Sequence, residues 1–239
     1  MEKRKLNAAI VASGSGTDAD VVMEKFDQGF FPELESLILI STNCQAGCLE
    51  KAKARGINHC NFDFEGVARS VNFGKVFSEF LVSNRIDIVF LLGCVLKVQP
   101  VEGVKIYNIH PADLEKHGGN KCYGLEVHRR VILEKIDQIE RGRLGFSGPS
   151  YTYPTFHSVD EDYDSGPWIM QAQVKIPYNI IAQFYFSNRT RKDLDQAAEE
   201  LQKHVLRYEW KMLPSAVSLA ILDCLDESRE RFKCVSEDE

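Results

Sequence analysis

The chain has no apolar run near the ~20 residues that cross a bilayer, so no membrane-spanning helix is expected. It has no surplus of positive charge either. Its 29 Lys and Arg against 35 Asp and Glu give a formal net charge of −6, which argues against a general nucleic-acid-binding surface. Repeats, Gly/Ser/Pro-rich linkers and low-complexity stretches are absent, which points to one domain over residues 1–226 and a charged, frayed tail over 227–239. The first residues, Met1-Glu2-Lys3-Arg4-Lys5, lead into an apolar run too short for a signal peptide. Without such a signal, an odd count of seven cysteines reads as reduced thiols in the cytoplasm. Cys44 and Cys48 have a spacing suited to a metal on one helix face, but no second His/Cys pair stands nearby, so no metal is expected.

What remains is an ordinary globular composition over 239 residues, 44% hydrophobic and 27% charged, long enough for a sizeable core. Short apolar runs alternate with helical spacing. Leu6–Ala12 reads as a strand and Ala19–Phe26 as a helix; Leu37–Ile40 is again a strand and Gly47–Ala54 a helix closed by Arg55-Gly56. Ile57–Phe62 follows as a strand, Asp63–Glu65 as a polar turn and Val67–Asn84 as a long amphipathic helix. Ile86–Leu92 is almost continuously apolar, as a parallel strand covered on both faces should be. The alternation predicts an α/β fold, a doubly wound and mostly parallel Rossmann-like sheet. Such sheets bind ligands beyond the carboxyl ends of their strands, so the segments at Ser13, Ser41, Gly93 and His110 should converge.

Two stretches carry chemistry. In Lys105-Ile106-Tyr107-Asn108-Ile109-His110-Pro111, an amide and an imidazole two residues apart share one face of a short strand. The second runs from Thr155 to Ile169 and contains Asp160, Asp162 and then Asp164-Ser165-Gly166-Pro167, whose Gly-Pro favours a tight turn after the acid. Read alone, Asp160–Asp162 would be a solvated acidic turn and His157 a satisfied core histidine. Ser13-Gly14-Ser15-Gly16-Thr17-Asp18, between a strand and a helix N-terminus, suits an anion but lacks the lysine and spacing of a P-loop.

Taken together, Asn108-Ile109-His110-Pro111 and Asp164-Ser165-Gly166-Pro167 resemble the folate-dependent formyltransferase family, in particular its branch acting on glycinamide ribonucleotide. The resemblance runs from about Ile10 to about Leu219. It implies transfer of a formyl group from 10-formyltetrahydrofolate to an amine in purine synthesis, with Asn108, His110 and Asp164 as the catalytic set. It also implies substrate binding by Ser13, Gly14, Ser15, Gly16, Thr17 and Glu209, and folate binding by Cys94, Val95, Leu96, Lys97, Val98, Asp160 and Asp162. Asn108 and His110 would stabilise the oxyanion, with Asp164 raising the His110 pKa to favour imidazolium. No metal, nucleic acid or membrane partner is implied, and the chain would be a monomer or homodimer.

The chain departs from the family pattern at several places. Asp18 stands where the family has Asn, Leu96 where it has Arg (with Lys97 beside it), and Trp210 where it has His. The segment after Pro111 is longer and more polar, and an aromatic loop spans Phe146–Tyr153. These additions read equally as a lid or as surface elaboration. Formyl transfer to another amine such as a sugar nucleotide, hydrolysis of formyltetrahydrofolate, or non-catalytic folate or nucleotide binding stand as alternatives. Further on, Trp168–Ile176 reads as one half-buried strand, Leu125–Ile139 as a helix, and Leu194–Leu206 and Met212–Leu225 as two more.

Overall fold

The computed structural model describes residues 4–62, 73–162 and 164–235. The polar turn expected over 63–65 and the first part of the helix expected from Val67 lie outside the described residues. The chain is a single α/β domain built of two compact units. One comprises the chain up to Asn108 together with Leu213 onward, and the other Ile109–Met212.

The first unit is the parallel part. Strand β1 (Leu6–Ala12) is buried at every position but Asn7, because parallel strands β2 (Leu34–Ser41) and β4 (Ile88–Leu91) flank it. Strand β3 (Asn58–Asn61) pairs with β2, and β5 (Lys105–His110) pairs with β4, giving the order β3-β2-β1-β4-β5. Helices α1 (Thr17–Asp27), α2 (Gly47–Ala54) and α3 (Phe73–Ser83) occupy the crossovers, as the alternation of runs requires. Gly56, in the left-handed region, follows α2 as expected.

Loops at the carboxyl ends of β1, β2 and β4 do converge. The Ser13 N–H donates to the Gly93 carbonyl at 3.1 Å, the Ser13 hydroxyl donates to the same oxygen at 2.7 Å, and the Asn43 amide donates to the Ser13 carbonyl at 3.3 Å. The register opposes Asn108 to Leu91, the last residue of β4.

In the second unit, Ile109 and His110 end β5, and the sheet order runs on to β7 (Thr155–Ser158) and β8 (Trp168–Gln171), which pair antiparallel. A short helix α4 (Leu114–His117) follows the strand end, started by the Asp113 carboxylate accepting from the Glu115 N–H at 3.0 Å. Helix α5 (Leu125–Glu140) buries Val127, Val131, Ile132 and Ile136 at helical spacing against Val174, Ile180, Leu201 and Val205.

Two expectations need correction. The run Trp168–Ile176 is two strands: β8 pairs with β7, whereas β9 (Val174–Lys175) pairs with β6 (Tyr151–Thr152) in a separate ribbon. The alternation survives the break between them, so pattern alone concealed it. Likewise, the two C-terminal helices are a single one, α7 (Arg191–Val235), which passes through Pro214. Proline removes one intrahelical N–H and crowds the carbonyl four residues back, a cost of about 3 kcal/mol that burial of the neighbouring Leu213, Ala216 and Val217 offsets. The charged tail expected from residue 227 therefore begins inside α7. Helix α6 (Tyr178–Tyr185) had no counterpart in the sequence reading.

Phe90 anchors the first unit's core: it is fully buried and stacks on Tyr107 with ring centroids 6.3 Å apart. Phe90→Ala should lower stability by about 3–5 kcal/mol, read as an earlier urea midpoint at unchanged slope. A shift under about 1 kcal/mol would contradict the packing described.

Candidate active site

Strand β5 sets the register of the first two candidate residues. Successive side chains alternate across a strand, so Asn108 and His110 share a face. His110 is 3% exposed, and two groups of the second unit lie against its ring nitrogens. Its Nε2 lies 3.1 Å from the His117 carbonyl oxygen, and its Nδ1 lies 3.6 Å from Asp164 Oδ2. The backbone N–H of Gly119 donates to the same Oδ2 at 2.9 Å. On the other side of the carboxylate, His157 Nε2 is 3.6 Å from Asp164 Oδ1, while its Nδ1 lies 2.9 Å from the Ser158 carbonyl.

The proton positions follow from these partners. A carbonyl oxygen only accepts, so His110 carries hydrogen on Nε2 and His157 carries it on Nδ1. With its hydrogen on Nε2, a neutral His110 leaves Nδ1 open on the side of Asp164. The carboxylate sits between two imidazole nitrogens, and a proton added at His110 Nδ1 would lie between that ring and the acid.

Local backbone explains why the acid stands there. Asp164 has φ 53°, a left-handed conformation that aspartate adopts more readily than most residues. A Cβ at Gly166 would meet the Ser158 carbonyl oxygen at 1.9 Å, and one at Gly118 would meet the Leu114 carbonyl oxygen at 2.5 Å and Asp164 Cβ at 3.0 Å. Both positions need glycine for close approach.

Burial and charge pull His110 in opposite directions. Desolvation is the larger effect and pushes its pKa down to about 4, although the Asp164 carboxylate pulls it up. The expectation of a resting imidazolium is thereby corrected. The carboxylate acts in the expected direction, but a ring this enclosed is neutral near pH 7. For Asp164, burial is the largest influence and raises the pKa, yet His157, His110 and the Gly119 N–H together hold it below the ordinary value.

The remaining candidates fall as follows. In the first unit, Gly16 is the N-cap of α1 with φ 64°, and a Cβ there would lie 2.4 Å from Cys48 Cβ. The loop Ser13–Thr17 is thus pressed onto the start of α2, where Cys48 N–H donates to the Gly14 carbonyl at 3.2 Å. Its contact with Gly93 joins it to the segment that contains Cys94, Val95, Leu96, Lys97 and Val98. Of these, Val95 is exposed and Val98 buried. In the second unit, Asp160 and Asp162 are exposed, and Asp160 accepts from the Glu161 N–H. Glu209 is 3% exposed, within α7.

Sequence reasoning missed His117, Gly119 and His128. Gly118-Gly119 inside the added segment was the available signal for backbone approaching a ligand or side chain. His128 is 1% exposed, its Nδ1 has no hydrogen-bond partner among the described residues, and burial followed by the charge of His110 lowers its pKa to about 3.

Among the described residues no helix is long and apolar enough to cross a membrane, and no cluster of three metal-ligating side chains occurs.

A family model described as formyl transferase matches residues 6–217. A protein named chloroplastic phosphoribosylglycinamide formyltransferase, from Arabidopsis thaliana, is 30% identical over 224 residues, covering 90% of this chain and 65% of that protein. Its namesake from Vigna unguiculata is 29% identical over 188 residues, 75% of this chain and 54% of that protein. The chain thus spans 65% and 54% of these two relatives' lengths. The crystal structure of glycinamide ribonucleotide transformylase 1 from Symbiobacterium toebii superposes with a TM-score of 0.67 at 24% identity, covering 92% of this chain and 89% of the other. That likeness establishes the fold.

The two depressed histidines set an acid limit on stability. In the unfolded chain they take up protons near pH 6.5, whereas in the folded chain they refuse them until about pH 4 or lower. Their stabilisation is complete above pH 6.5 and is lost as the pH falls toward 4. Urea midpoints should decline through that window, by on the order of 1 kcal/mol per pH unit for each histidine. His128→Leu should flatten the decline. A wild-type profile level from pH 7 to 5 would contradict the assignment.

Proposed function

The chain belongs to the formyl transferase family, and from that premise we propose that it moves the formyl group of 10-formyltetrahydrofolate onto the amine of glycinamide ribonucleotide, a step of purine synthesis. One observation carries the reading. Asn108 and His110 stand two apart on β5, and Asp164 lies 3.6 Å from His110 Nδ1.

In this mechanism the neutral amine attacks the formyl carbon, forming a nitrogen–carbon bond and an oxyanion. The Asn108 amide donates to that oxyanion. The attacking nitrogen must lose a proton, and the His110–Asp164 pair, which rests without one, receives it as a base. The ring becomes imidazolium opposite the carboxylate while its Nε2–H stays on the His117 carbonyl. The carbon–nitrogen bond to the folate then breaks, and the same proton passes to the departing nitrogen. Protons balance, and the pair returns to its resting state. A neutral resting His110 suits this cycle better than a permanent imidazolium, which could not accept the amine's proton.

We assign the remaining roles by family resemblance. The loop Ser13, Gly14, Ser15, Gly16 and Thr17 takes the phosphate at the α1 N-terminus, with the Ser13 N–H already spent on the Gly93 carbonyl. The Ser13 hydroxyl hydrogen is already committed to Gly93, so this side chain acts there as an acceptor or a brace. Glu209 contacts the amine, and Cys94–Val98 with Asp160 and Asp162 hold the folate. We place the reaction in the cytoplasm, with a plastid as the alternative suggested by the names of the plant relatives. We take the chain to be a monomer or homodimer.

Steady-state release of deformylated folate, measured with and without glycinamide ribonucleotide, tests the reading. Turnover is expected only with the nucleotide, and His110→Ala and Asp164→Asn should each lower kcat by about a hundredfold or more. Turnover without the nucleotide would make the chain a hydrolase. Silence in both assays would redirect the search to another amine or to a binding role, with Asp18 beside the phosphate loop the first position to examine.

A further inference from the structure

The segment after Pro111, which is longer and more polar than the family pattern suggests, supplies backbone to both members of the acid–base pair. Its His117 carbonyl takes the Nε2–H of His110 at 3.1 Å, and its Gly119 N–H donates to Asp164 at 2.9 Å. These two atoms lie two residues apart, so whatever holds His117 in place holds both contacts.

That anchor is visible on α5. The His117 ring reaches Glu134 Oε2 with its Nε2 at 3.0 Å, and both groups are largely enclosed, at 8% and 25% side-chain exposure. Glu134 is itself fixed: Lys135 Nζ lies 3.2 Å from Oε2, and Gln138 Nε2 donates to Oε1 at 2.8 Å. Both oxygens of the carboxylate are therefore engaged, leaving it a single orientation. Glu134 holds the ring of His117, and the backbone of the same turn meets His110 and Asp164, so its influence on the pair runs through that backbone.

We propose that Glu134 is a positioning residue: by gripping the His117 ring it fixes the α4–Gly119 turn, and so sets the Nε2–H tautomer of His110 and the orientation of Asp164. The added segment is then neither a lid nor surface elaboration but the bracket of the acid–base pair. This inference rests on the formyl-transfer reading for its kinetic consequence, and on geometry alone for its effect on the tautomer.

The test uses the full chain with ¹⁵N-labelled histidine and the variants Glu134→Ala, Glu134→Gln and His117→Ala. In wild type, His110 should show the Nε2–H form at pH 7. Glu134→Ala should mix the two tautomers and, in the transfer assay, lower kcat by about a hundredfold while the KM for each substrate stays within about threefold. Glu134→Gln keeps an acceptor for His117 and should restore kcat to within a few-fold of wild type. His117→Ala cuts the same link, so it should match Glu134→Ala, and the double variant should be no worse than either alone. If Glu134→Ala fails to fold, His117→Ala and Glu134→Gln still decide the matter. An unchanged tautomer with unchanged kcat in a folded Glu134→Ala or His117→Ala would overturn the proposal, as would additive losses in the double variant. If the chain proves inactive in every assay, the tautomer readout alone still supports or sinks it.

Discussion

The second unit is arranged around one constraint, a carboxylate that must stay ionised while its side chain is only 11% exposed. An isolated charge in such a place is costly, and Asp164 escapes that cost through a backbone N–H from Gly119 and two imidazole rings. Each ring places its own N–H on a backbone carbonyl, His110 on His117 and His157 on Ser158. The other nitrogen of each ring lies 3.6 Å from the acid, on opposite carboxylate oxygens. Glycines at 118 and 166 are required because the backbone closes around the acid with no space for a Cβ. The left-handed φ of Asp164 belongs to the same economy of space.

The balance at His110 shows why proximity to a carboxylate does not decide a protonation state by itself. At 3.6 Å the attraction favours the cation, but enclosing the ring removes the water that would solvate it. Burial wins, and the ring is held near 4. The first unit contributes in a different way. There the strand-end loops are tied to one another by one backbone bond from Ser13 to Gly93 and by side-chain bonds from Ser13 and Asn43 to backbone carbonyls.

Much of this was legible in the sequence. Apolar runs located β1, β2, β4 and β5 because parallel strands buried on both faces leave little choice of residue, and Gly56 marked a helix end because it adopts φ > 0. Asn108, His110 and Asp164 were readable as a set only through the family resemblance, since Asp164 meets His110 only in the folded chain. Other features left no local trace. The break between β8 and β9 preserves the period-2 alternation, so only pairing partners reveal it. Pro214 sits inside α7 where proline ordinarily marks an end. The net pKa of His110 depends on how much of the molecule surrounds it, a property that no short motif encodes. The Glu134–His117 contact joins residues 17 apart through a turn whose path the polar composition of 112–123 did not specify.

The most direct measurement is the titration of His110 followed by ¹⁵N NMR across pH 8 to 4, with the resonance assigned by His110→Gln. The account predicts that His110 remains a neutral ring with hydrogen on Nε2 down to about pH 5 and begins to take up a proton only near 4. A midpoint at or above the ordinary value of about 6.5 would contradict it. The Asp164 charge would then outweigh burial, and the pair would begin its cycle already protonated.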